Sequence, residues 1–434
     1  MSTSLIIVIL TLVVLLLIGA PVVLAIGTAG IVYFLVEPGM LGSLNIVIST
    51  MFEEMESFVF LAIPLFILTG ELMTIGGMMD KLVRFTQLIV GTVRGGLAYV
   101  NVLASMLFGG ISGSGLADIS ALGPIQVEMM SKDGYKKEFS AALTATSALQ
   151  GPIIPPSIPF VIFASLTNVS VGGLFIAGAI PGVMLGLVQI VIIFIMAKSK
   201  KVSMPRNYEK VTMKRALKDT LAAGYALLLP VIILGGMLSG FFTATEAAAV
   251  AAAYSLIIAG VVYKGLNFKN LSQALVNTAK TTGSIYLIIA FTGIISWILS
   301  IERVPDMINN LFLNTDLSPL VLLLIVNVFF LINGMWLSDV AQLLLFAPIF
   351  APIFVGLGVD PIHFGVIMVV NVMLGMITPP YGMALYLSSA ISGSKLTDIV
   401  KASLPFLFGC LLVLLLITIF PQISLFLPNL FDTM

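Results

Sequence analysis

Residues that break helices recur at one fixed spacing in the two halves of this chain, within stretches that are otherwise apolar. Residues 109–115 read Gly-Gly-Ile-Ser-Gly-Ser-Gly, and residues 333–339 read Asn-Gly-Met-Trp-Leu-Ser-Asp. Ser114 and Ser338 are 224 positions apart (338 minus 114), and the same offset relates three sets of prolines: Pro124 and Pro348, Pro155-Pro156 and Pro379-Pro380, and Pro181 and Pro405. The sequence therefore predicts two copies of one structural unit.

The composition excludes most classes of soluble protein. Of the 434 residues, 59% are hydrophobic and 9% are charged, so most of the chain must lie in lipid. The net charge is zero, which argues against a nucleic-acid partner because phosphate binding needs a clustered positive field. Cys410 is the one cysteine, so the chain forms no internal disulfide. We expect a polytopic protein in contact with membrane lipid, whose first apolar segment is retained as a helix.

Apolar runs near the length of a bilayer predict about ten transmembrane helices. They lie near residues 4–20, 22–36, 58–76, 138–160, 175–197, 221–240, 245–263, 282–300, 362–386 and 402–427. Two further apolar stretches, at about 97–130 and about 320–358, contain the repeated Gly/Ser and Asn/Gly breaks. The predicted fold class is an all-α polytopic membrane protein with an inverted repeat, about ten transmembrane helices and two re-entrant helical hairpins.

Basic residues set the orientation. The connector at 198–220 carries eight lysines and arginines against Glu209 and Asp219, which predicts that it is cytoplasmic. This places both termini in the periplasm. The stretch 97–130 then has cytoplasmic flanks on both sides, and each of its limbs, at about 22 Å, is too short to cross a core of about 30 Å. The stretch 320–358 is flanked mainly by acidic residues, so the two hairpins should enter from opposite faces.

This organisation divides the chain into an inverted repeat around the connector. The first repeat spans residues 1–197 and contains a hairpin at about 97–130 and a broken helix at about 138–165. The cytoplasmic basic connector spans 198–220. The second repeat spans 221–434, with a hairpin at about 320–358 and a broken helix at about 362–390. Matched breaks at membrane depth are typical of secondary transporters, because unwound backbone can bind an ion or substrate there.

The breaks contain groups suited to binding a cation. Ser112 and Ser114 offer hydroxyls at the first tip, while Ser338 and Asp339 offer a hydroxyl and a carboxylate at the second. The proline-rich segments 151–159 and 375–382 should interrupt their helices and leave carbonyls and helix N-termini exposed. The alternative is that small residues allow close helix packing and the prolines produce packing kinks.

Other polar residues give weaker predictions. Glu246 has the spacing of a capping box with Thr243, and His363 is expected to be an interfacial residue at a helix start rather than a metal ligand. Segments 45–57 and 264–281 resemble amphipathic arms. The chain has neither a phosphate-binding loop nor a serine–histidine arrangement, so we expect no enzyme activity.

The order and spacing of five motifs resemble the large membrane subunit of tripartite ATP-independent periplasmic (TRAP) transporters, a family of C4-dicarboxylate and sialic acid uptake systems. The motifs are Gly-Ala-Pro at 19–21, Gly-Gly-Ile-Ser-Gly-Ser-Gly at 109–115, Gly-Pro-Ile-Ile-Pro-Pro-Ser at 151–157, Thr-Ala-Thr-Glu-Ala-Ala at 243–248 and Thr-Pro-Pro-Tyr-Gly at 378–382. The resemblance covers essentially the whole chain.

The resemblance implies an elevator-type transporter in the bacterial inner membrane that is driven by Na⁺. Its implied partners are a small four-helix membrane subunit and a periplasmic substrate-binding protein that delivers a small organic anion. By motif position, one Na⁺ site would involve Ser112, Ser114, Gly115, Gly151 and Pro155. The other would involve Gly334, Ser338, Asp339, Thr378 and Pro379. The substrate would contact Ser112, Ser157 and Ser388.

Three alternatives remain open at this point. A stand-alone dicarboxylate or citrate symporter with the same hairpins would transport without a binding protein. An anion channel would use the hairpin tips as a fixed filter and would conduct without saturable Na⁺ coupling. A structural membrane scaffold would tolerate loss of the tip serines and of Asp339.

Overall fold

The computed structural model describes residues 2–40, 42–199, 204–206, 212–313 and 315–431, and these segments are almost entirely helical. Part of the predicted basic connector, including Lys200, Lys201, Glu209 and Lys210, lies outside the described residues. The helices before the first hairpin are α1 Thr3–Leu17, α2 Val22–Val36, α3 Leu44–Met55, α4 Ala62–Ile75 with a 3₁₀ turn at Phe58–Leu61 before it, and α5 Met78–Val90.

The first hairpin and first broken helix follow. The hairpin consists of α6 Gly96–Ser112 and α7 Gly115–Lys132. The broken helix consists of α8 Lys137–Ser147 with a 3₁₀ turn at Ala148–Gln150, and α9 Ile158–Thr167. The long helix α10 Val171–Ser199 completes this half of the chain.

The second half again places a hairpin before a broken helix and a long helix, with four helices rather than five before the hairpin. It begins with α11 Met213–Leu238, α12 Ala244–Ile257, α13 Phe268–Ile301 and α14 Val304–Leu313. The second hairpin consists of α15 Pro319–Gly334 and α16 Asp339–Gly356, and the second broken helix of α17 Pro361–Gly375 and α18 Met383–Ser392. The chain ends with α19 Leu396–Ile419 and α20 Gln422–Leu430.

Seven helical segments among the described residues are long and apolar enough to cross a membrane. They are Phe58–Ile75, Val171–Ser199, Met213–Leu238, Ala244–Val262, Phe268–Ile301, Asp339–Gly356 and Leu396–Ile419. Seven shorter apolar helices accompany them among the described residues, including α1 and α2, the second piece of the first broken helix and both pieces of the second. Six of the seven long segments are predicted spans, and the seventh, Asp339–Gly356, is a limb of the second hairpin. The other four predicted runs form shorter helices, because Pro21 and the proline-rich breaks interrupt them. The chain is an all-helical, multi-pass integral membrane protein.

The helices pack in two groups. In one group, α13 contacts α2, α3 and α4, while α12 contacts α4 and α11. The other group contains the hairpins and broken helices with α10 and α19. Here the second piece of each broken helix packs against the opposite half of the chain: α9 contacts α16 and α17, whereas α18 contacts α7 and α8. Through these contacts between the two halves, both hairpins and both broken helices form one packed unit.

The segment 264–281, predicted as a separate amphipathic arm, is mostly part of the long helix α13. This helix runs without interruption for 34 residues, about 51 Å at 1.5 Å per residue. The arm is therefore the first part of a spanning helix that extends beyond the hydrocarbon core. The other predicted arm, α3, packs along α13, where a Cβ on Gly293 would lie 2.4 Å from Glu54 Cγ. The predicted capping box at the start of α12 is confirmed, because Thr243 N donates to Glu246 Oε2 at 2.8 Å.

Candidate functional site

Glycine at the first hairpin tip allows a reversal that other residues would resist. The α6 helix ends at Ser112, and Gly113 has a φ of 62°, in the left-handed region that favours glycine. A Cβ at this position would also lie 2.8 Å from the Pro156 carbonyl oxygen of the first break. The Ser114 hydroxyl then accepts a hydrogen bond from Ala117 N at 3.4 Å and starts α7 as its N-cap.

The first tip lies directly on the first helix break. A Cβ on Gly109 would come within 2.4 Å of Gly151 Cα, so the two backbones touch. Ile158 N donates to the Gly113 carbonyl at 3.3 Å. A Cβ on Gly115 would meet the Ala148 carbonyl oxygen at 3.1 Å. These contacts bring the tip residues of the first predicted Na⁺ site against the break that follows Gln150.

The second tip lies on the second break through the same kinds of contact. A Cβ on Gly334 would be 2.6 Å from Gly375 Cα, and Gly382 N donates to the Met335 carbonyl at 3.2 Å. Gly151 and Gly375 are related by the offset of 224, as are Ile158 and Gly382. The backbone contacts between tip and break therefore occur at equivalent positions of both breaks.

The hydroxyls of the site have defined roles in the local backbone. The Ser157 hydroxyl caps α9 by accepting from Phe160 N at 3.2 Å, and the Ser338 hydroxyl caps α16 by accepting from Ala341 N at 3.3 Å. Thr378 Oγ1 donates to the Leu374 carbonyl at 2.8 Å. Because a hydroxyl oxygen has two lone pairs, each of these groups retains the capacity to coordinate a cation.

The three predicted substrate residues are buried, but no hydrogen bond connects Ser388 to the other two in the described structure. Ser112, Ser157 and Ser388 are 3%, 0% and 1% exposed. Ser112 and Ser157 belong to the same tip-and-break unit, whereas Ser388 lies on α18, which packs against α7 and α8. Within the described residues no hydrogen bond joins Ser388 to the other two, and its hydroxyl has no hydrogen-bond partner there.

A pair of buried polar contacts behind the two tips was not predicted. Ser147 Oγ donates to Asn101 Oδ1 at 2.8 Å, and Asn371 Nδ2 donates to Asn327 Oδ1 at 2.8 Å. Ser147 and Asn371 are related by the offset of 224, and each contact ties the first piece of a broken helix to the incoming limb of its hairpin. The offset of 224 could not have revealed these pairs, because it matches Asn101 with Ile325 rather than with Asn327.

Asp118 is the most deeply buried carboxylate near the tips. It is 1% exposed and lies beside Ser105, and neither of its carboxylate oxygens accepts a hydrogen bond of normal geometry from the described residues. At the equivalent position in the second half, Gln342, oriented to suit its neighbours, donates to the Phe330 carbonyl and accepts from Gly334 N, both at 3.1 Å. The two halves thus differ at this position, where the first has a carboxyl group and the second an amide that bonds to its own hairpin.

The donor set favours oxygen coordination. Among the described residues, no group of three or more His, Cys, Asp and Glu side chains could hold a metal ion. The groups that converge at each tip are instead hydroxyls and backbone carbonyls, joined in the second half by Asp339 at the start of α16. Hard oxygen ligands of this kind suit an alkali or alkaline-earth cation rather than a transition metal.

Comparisons with known proteins agree with this architecture. The model of the DctM component of tripartite ATP-independent periplasmic transporters matches residues 9–423. The C4-dicarboxylate TRAP transporter large permease protein DctM of Pseudomonas aeruginosa is 43% identical over 380 residues, which covers 87% of this chain and 88% of that protein. The sialic acid TRAP transporter permease protein SiaT of Haemophilus influenzae is 36% identical over 432 residues, which covers 99% of this chain and 69% of that protein.

The fold is also similar to that of a solved transporter. The crystal structure of the Alcanivorax borkumensis YdaH transporter superposes with a TM-score of 0.65 and 15% sequence identity, covering 96% of this chain and 98% of that one. The family match confirms the resemblance inferred from the five motifs and agrees with the expectation that the chain is not an enzyme. The chain belongs to the DctM family, the large permease component of TRAP transporters.

Proposed function

We propose that this chain is the large permease of a Na⁺-coupled symporter for a small organic anion. The observation that carries the proposal is the matched seating of each hairpin tip on its own helix break, by the Gly109–Gly151 contact in one half and the Gly334–Gly375 contact in the other. Each contact brings hydroxyls and backbone carbonyls from two chain segments together, which is the arrangement that a cation needs at membrane depth.

The first Na⁺ site in this proposal uses the tip Ser112–Gly115 and the break that contains Gly151 and Pro155. Support comes from the short approach of Gly109 to Gly151 and from the Ile158–Gly113 hydrogen bond, which fix the tip relative to the break. A cation bound between them would hold both in place, because its ligands come from two separate chain segments.

The second Na⁺ site uses Gly334, Ser338 and Asp339 at the tip, with Thr378 and Pro379 in the break. The hydrogen bond from Gly382 N to the Met335 carbonyl supports this grouping. Here the Asp339 carboxylate adds a full negative charge, so the second site should bind its cation with a stronger electrostatic component than a site made only of neutral oxygens.

The substrate anion lies between the two units in this proposal and contacts Ser112, Ser157 and Ser388. Two bound cations would offset its carboxylate charge, and the capped N-termini of α7 and α9 would add positive potential. Without such partners, transfer of a carboxylate through an apolar environment would be prohibitive. The acids named for relatives, a C4-dicarboxylate and a sialic acid, indicate the class of substrate.

Movement of one body past another would carry this neutralised site across the membrane. The exchange of α9 and α18 between halves supports a rigid mobile body made of hairpins and broken helices. The group around α13 would be the fixed scaffold of this elevator, and the two halves would form an inverted repeat divided at 198–220. We further propose a bacterial inner-membrane location with both termini in the periplasm.

The proposed partners are a small four-helix membrane subunit and a periplasmic substrate-binding protein. This chain spans 69% of the H. influenzae sialic acid permease, so that relative has sequence beyond the part matched here. The greater length of that relative supports a small membrane subunit as a partner. The following experiment distinguishes the proposed function from the two alternatives, a stand-alone symporter and an anion channel.

The test is uptake by proteoliposomes that contain this chain with the small subunit and binding protein of the same genome. Labelled succinate and N-acetylneuraminate would be supplied with and without an inward Na⁺ gradient. Uptake that needs both Na⁺ and the binding protein is the expected result. Uptake without the binding protein would favour a stand-alone symporter, and flux indifferent to Na⁺ would favour a channel.

Paired substitutions test the ion sites. Ser114→Ala and Thr378→Ala should each raise the Na⁺ concentration for half-maximal uptake about tenfold, equivalent to about 1.4 kcal/mol. Ser120→Ala and Thr167→Ala are matched controls, because these hydroxyls donate to their own helix carbonyls at 2.8 Å and 2.7 Å away from the breaks. Equal Na⁺ dependence in all four variants would refute the assignments.

A further inference from the structure

The group of helices around α13 touches the first hairpin tip at two points. A Cβ on Gly70 of α4 would lie 3.4 Å from both Cα and Cβ of Ser112. A Cβ on Gly110, near the end of α6, would lie 3.5 Å from Pro230 Cγ of α11. Both α4 and α11 belong to the proposed scaffold, whereas the tip belongs to the unit of hairpins and broken helices. The two contacts therefore cross from the scaffold to the proposed mobile body.

The scaffold side of each contact is a residue that weakens its own helix. Gly70 lies inside α4, where glycine is less favourable than alanine. Pro230 lies inside α11, where its ring removes one backbone hydrogen bond. At 3.4 Å the methyl group of an alanine at position 70 would make ordinary contact with Ser112. Valine adds two methyl groups beyond the Cβ, so it would push the tip away.

The second tip is more open in this conformation. Trp336, which the offset of 224 matches with Ser112, is 44% exposed, whereas Ser112 is 3% exposed. A cavity of about 830 Å³ separates α1 from this tip, and its lining includes Ile9 and Trp336. By the same offset, residues 3–17 of α1 match residues 227–241, which include Pro230. Equivalent helices thus contact the first tip and stand away from the second, so contact with a tip is a property of the conformation.

We propose that Gly70 and Pro230 form the scaffold side of a gate over the first tip, which is closed in this conformation and opens during each transport cycle. This inference rests on the proposed function, in which Ser112 contacts both Na⁺ and the substrate. While α4 lies on Ser112, an anion cannot pass between α4 and the first tip. Gly70 is then a positioning residue, because the size of its side chain sets how closely the scaffold approaches the tip.

A disulfide across the gate tests whether it must open. In the double variant Gly110→Cys and Pro230→Cys, the two side chains are within reach of a disulfide, whose Cβ atoms are about 3.5–4.5 Å apart. The natural Cys410 is buried and is kept in every variant. Mass spectrometry measures the cross-linked fraction, and uptake is followed in proteoliposomes with the small subunit and binding protein.

Uptake should fall in proportion to the cross-linked fraction, and dithiothreitol should restore it. Each single-cysteine variant should keep its uptake under the same oxidation. Transport by the cross-linked protein at the rate of its reduced form would overturn the gate, as would failure of the pair to cross-link. Failure of the wild type to show Na⁺-driven uptake would instead overturn the proposed function, because the cross-linked fraction is measured without transport.

Side-chain size at position 70 tests the α4 contact separately. Gly70→Ala should keep the maximal uptake rate within about twofold of the wild type, whereas Gly70→Val should lower it about fivefold. Added to the double-cysteine variant, Gly70→Val should also slow cross-linking, because the tip then lies further from α11. Gly235→Val is the matched control, since Gly235 is inside α11 and a Cβ there meets nothing within 4 Å. Equal uptake and equal cross-linking with Gly70→Val and Gly235→Val would overturn the role of Gly70.

Discussion

The contact between Gly334 and Gly375 gives the sharpest test of how the second tip is held. A Cβ on Gly375 would lie 2.5 Å from Gly334 Cα and 3.2 Å from its carbonyl oxygen. Both neighbours are backbone atoms that cannot rotate away. Because ordinary contact begins at 3.4 Å, Gly375→Ala must move the tip from the break by about 0.9 Å (3.4 minus 2.5).

That displacement has a calculable effect on ion binding. The Gly382–Met335 hydrogen bond, at 3.2 Å, would lengthen to about 4.1 Å if the shift lies along it, which breaks it. Overpacking of this kind costs about 1–3 kcal/mol. If the cost falls on the ion-bound state, the Na⁺ affinity drops about fivefold to about 140-fold, at 1.4 kcal/mol per factor of ten.

The assay is the Na⁺ dependence of uptake in proteoliposomes, with size-exclusion chromatography to confirm that the variant folds. Gly356→Ala is the matched control, since Gly356 ends a limb of the hairpin that Gly375 contacts and a Cβ there meets nothing within 4 Å. We expect Gly356→Ala to behave as the wild type. If Gly375→Ala is folded and its Na⁺ half-saturation equals that of the wild type, the inference that seating of the tip determines the ion site is refuted.

Two further substitutions test structural contacts. Asn371→Ala removes the donor to Asn327 Oδ1 and should lower the free energy of unfolding by about 1–3 kcal/mol, measured by thermal unfolding in detergent; stability equal to the wild type would show that the pair contributes nothing. Thr243→Ala removes the hydroxyl that accepts from Glu246 N and should cost about 1 kcal/mol in the same assay without changing Na⁺ dependence, whereas a change in Na⁺ dependence would contradict a purely structural cap.

Local rules explain which parts of the site could be predicted. Tip and break positions follow from residue chemistry alone: Gly113 has the positive φ expected at a tip, and Pro155 and Pro379 lie in segments where helices end. Ser114 and Ser338 were predicted as ligands, and the structure adds that both are N-caps. The same short-range reasoning identified the capping box of α12.

Long-range packing was beyond this reasoning. The offset of 224 matches Gly334 with Gly110, but the glycine that contacts Gly151 in the first half is Gly109. The contact residue of the hairpin therefore differs by one position between the two halves. His363 was expected at an interface, but it is 2% exposed, and its Nδ1 is 2.7 Å from Ser424 Oγ of α20. The predicted helix start is confirmed, because Asp360 is the N-cap of α17, but sequence spacing does not reveal that α20 covers this end of the helix.

The two halves have glycine at the backbone contacts between tip and break but differ in the polar side chains around them. A Cβ on Gly109 in the first half or on Gly375 in the second would collide with backbone, at 2.4 Å and 2.5 Å. The charged positions are not conserved between halves: Asp118 is matched by Gln342, whose amide satisfies its own hairpin. In the proposed function, the two tip-and-break units would supply similar backbone carbonyls, and carboxyl groups such as those of Asp118 and Asp339 would determine how strongly each unit attracts a cation.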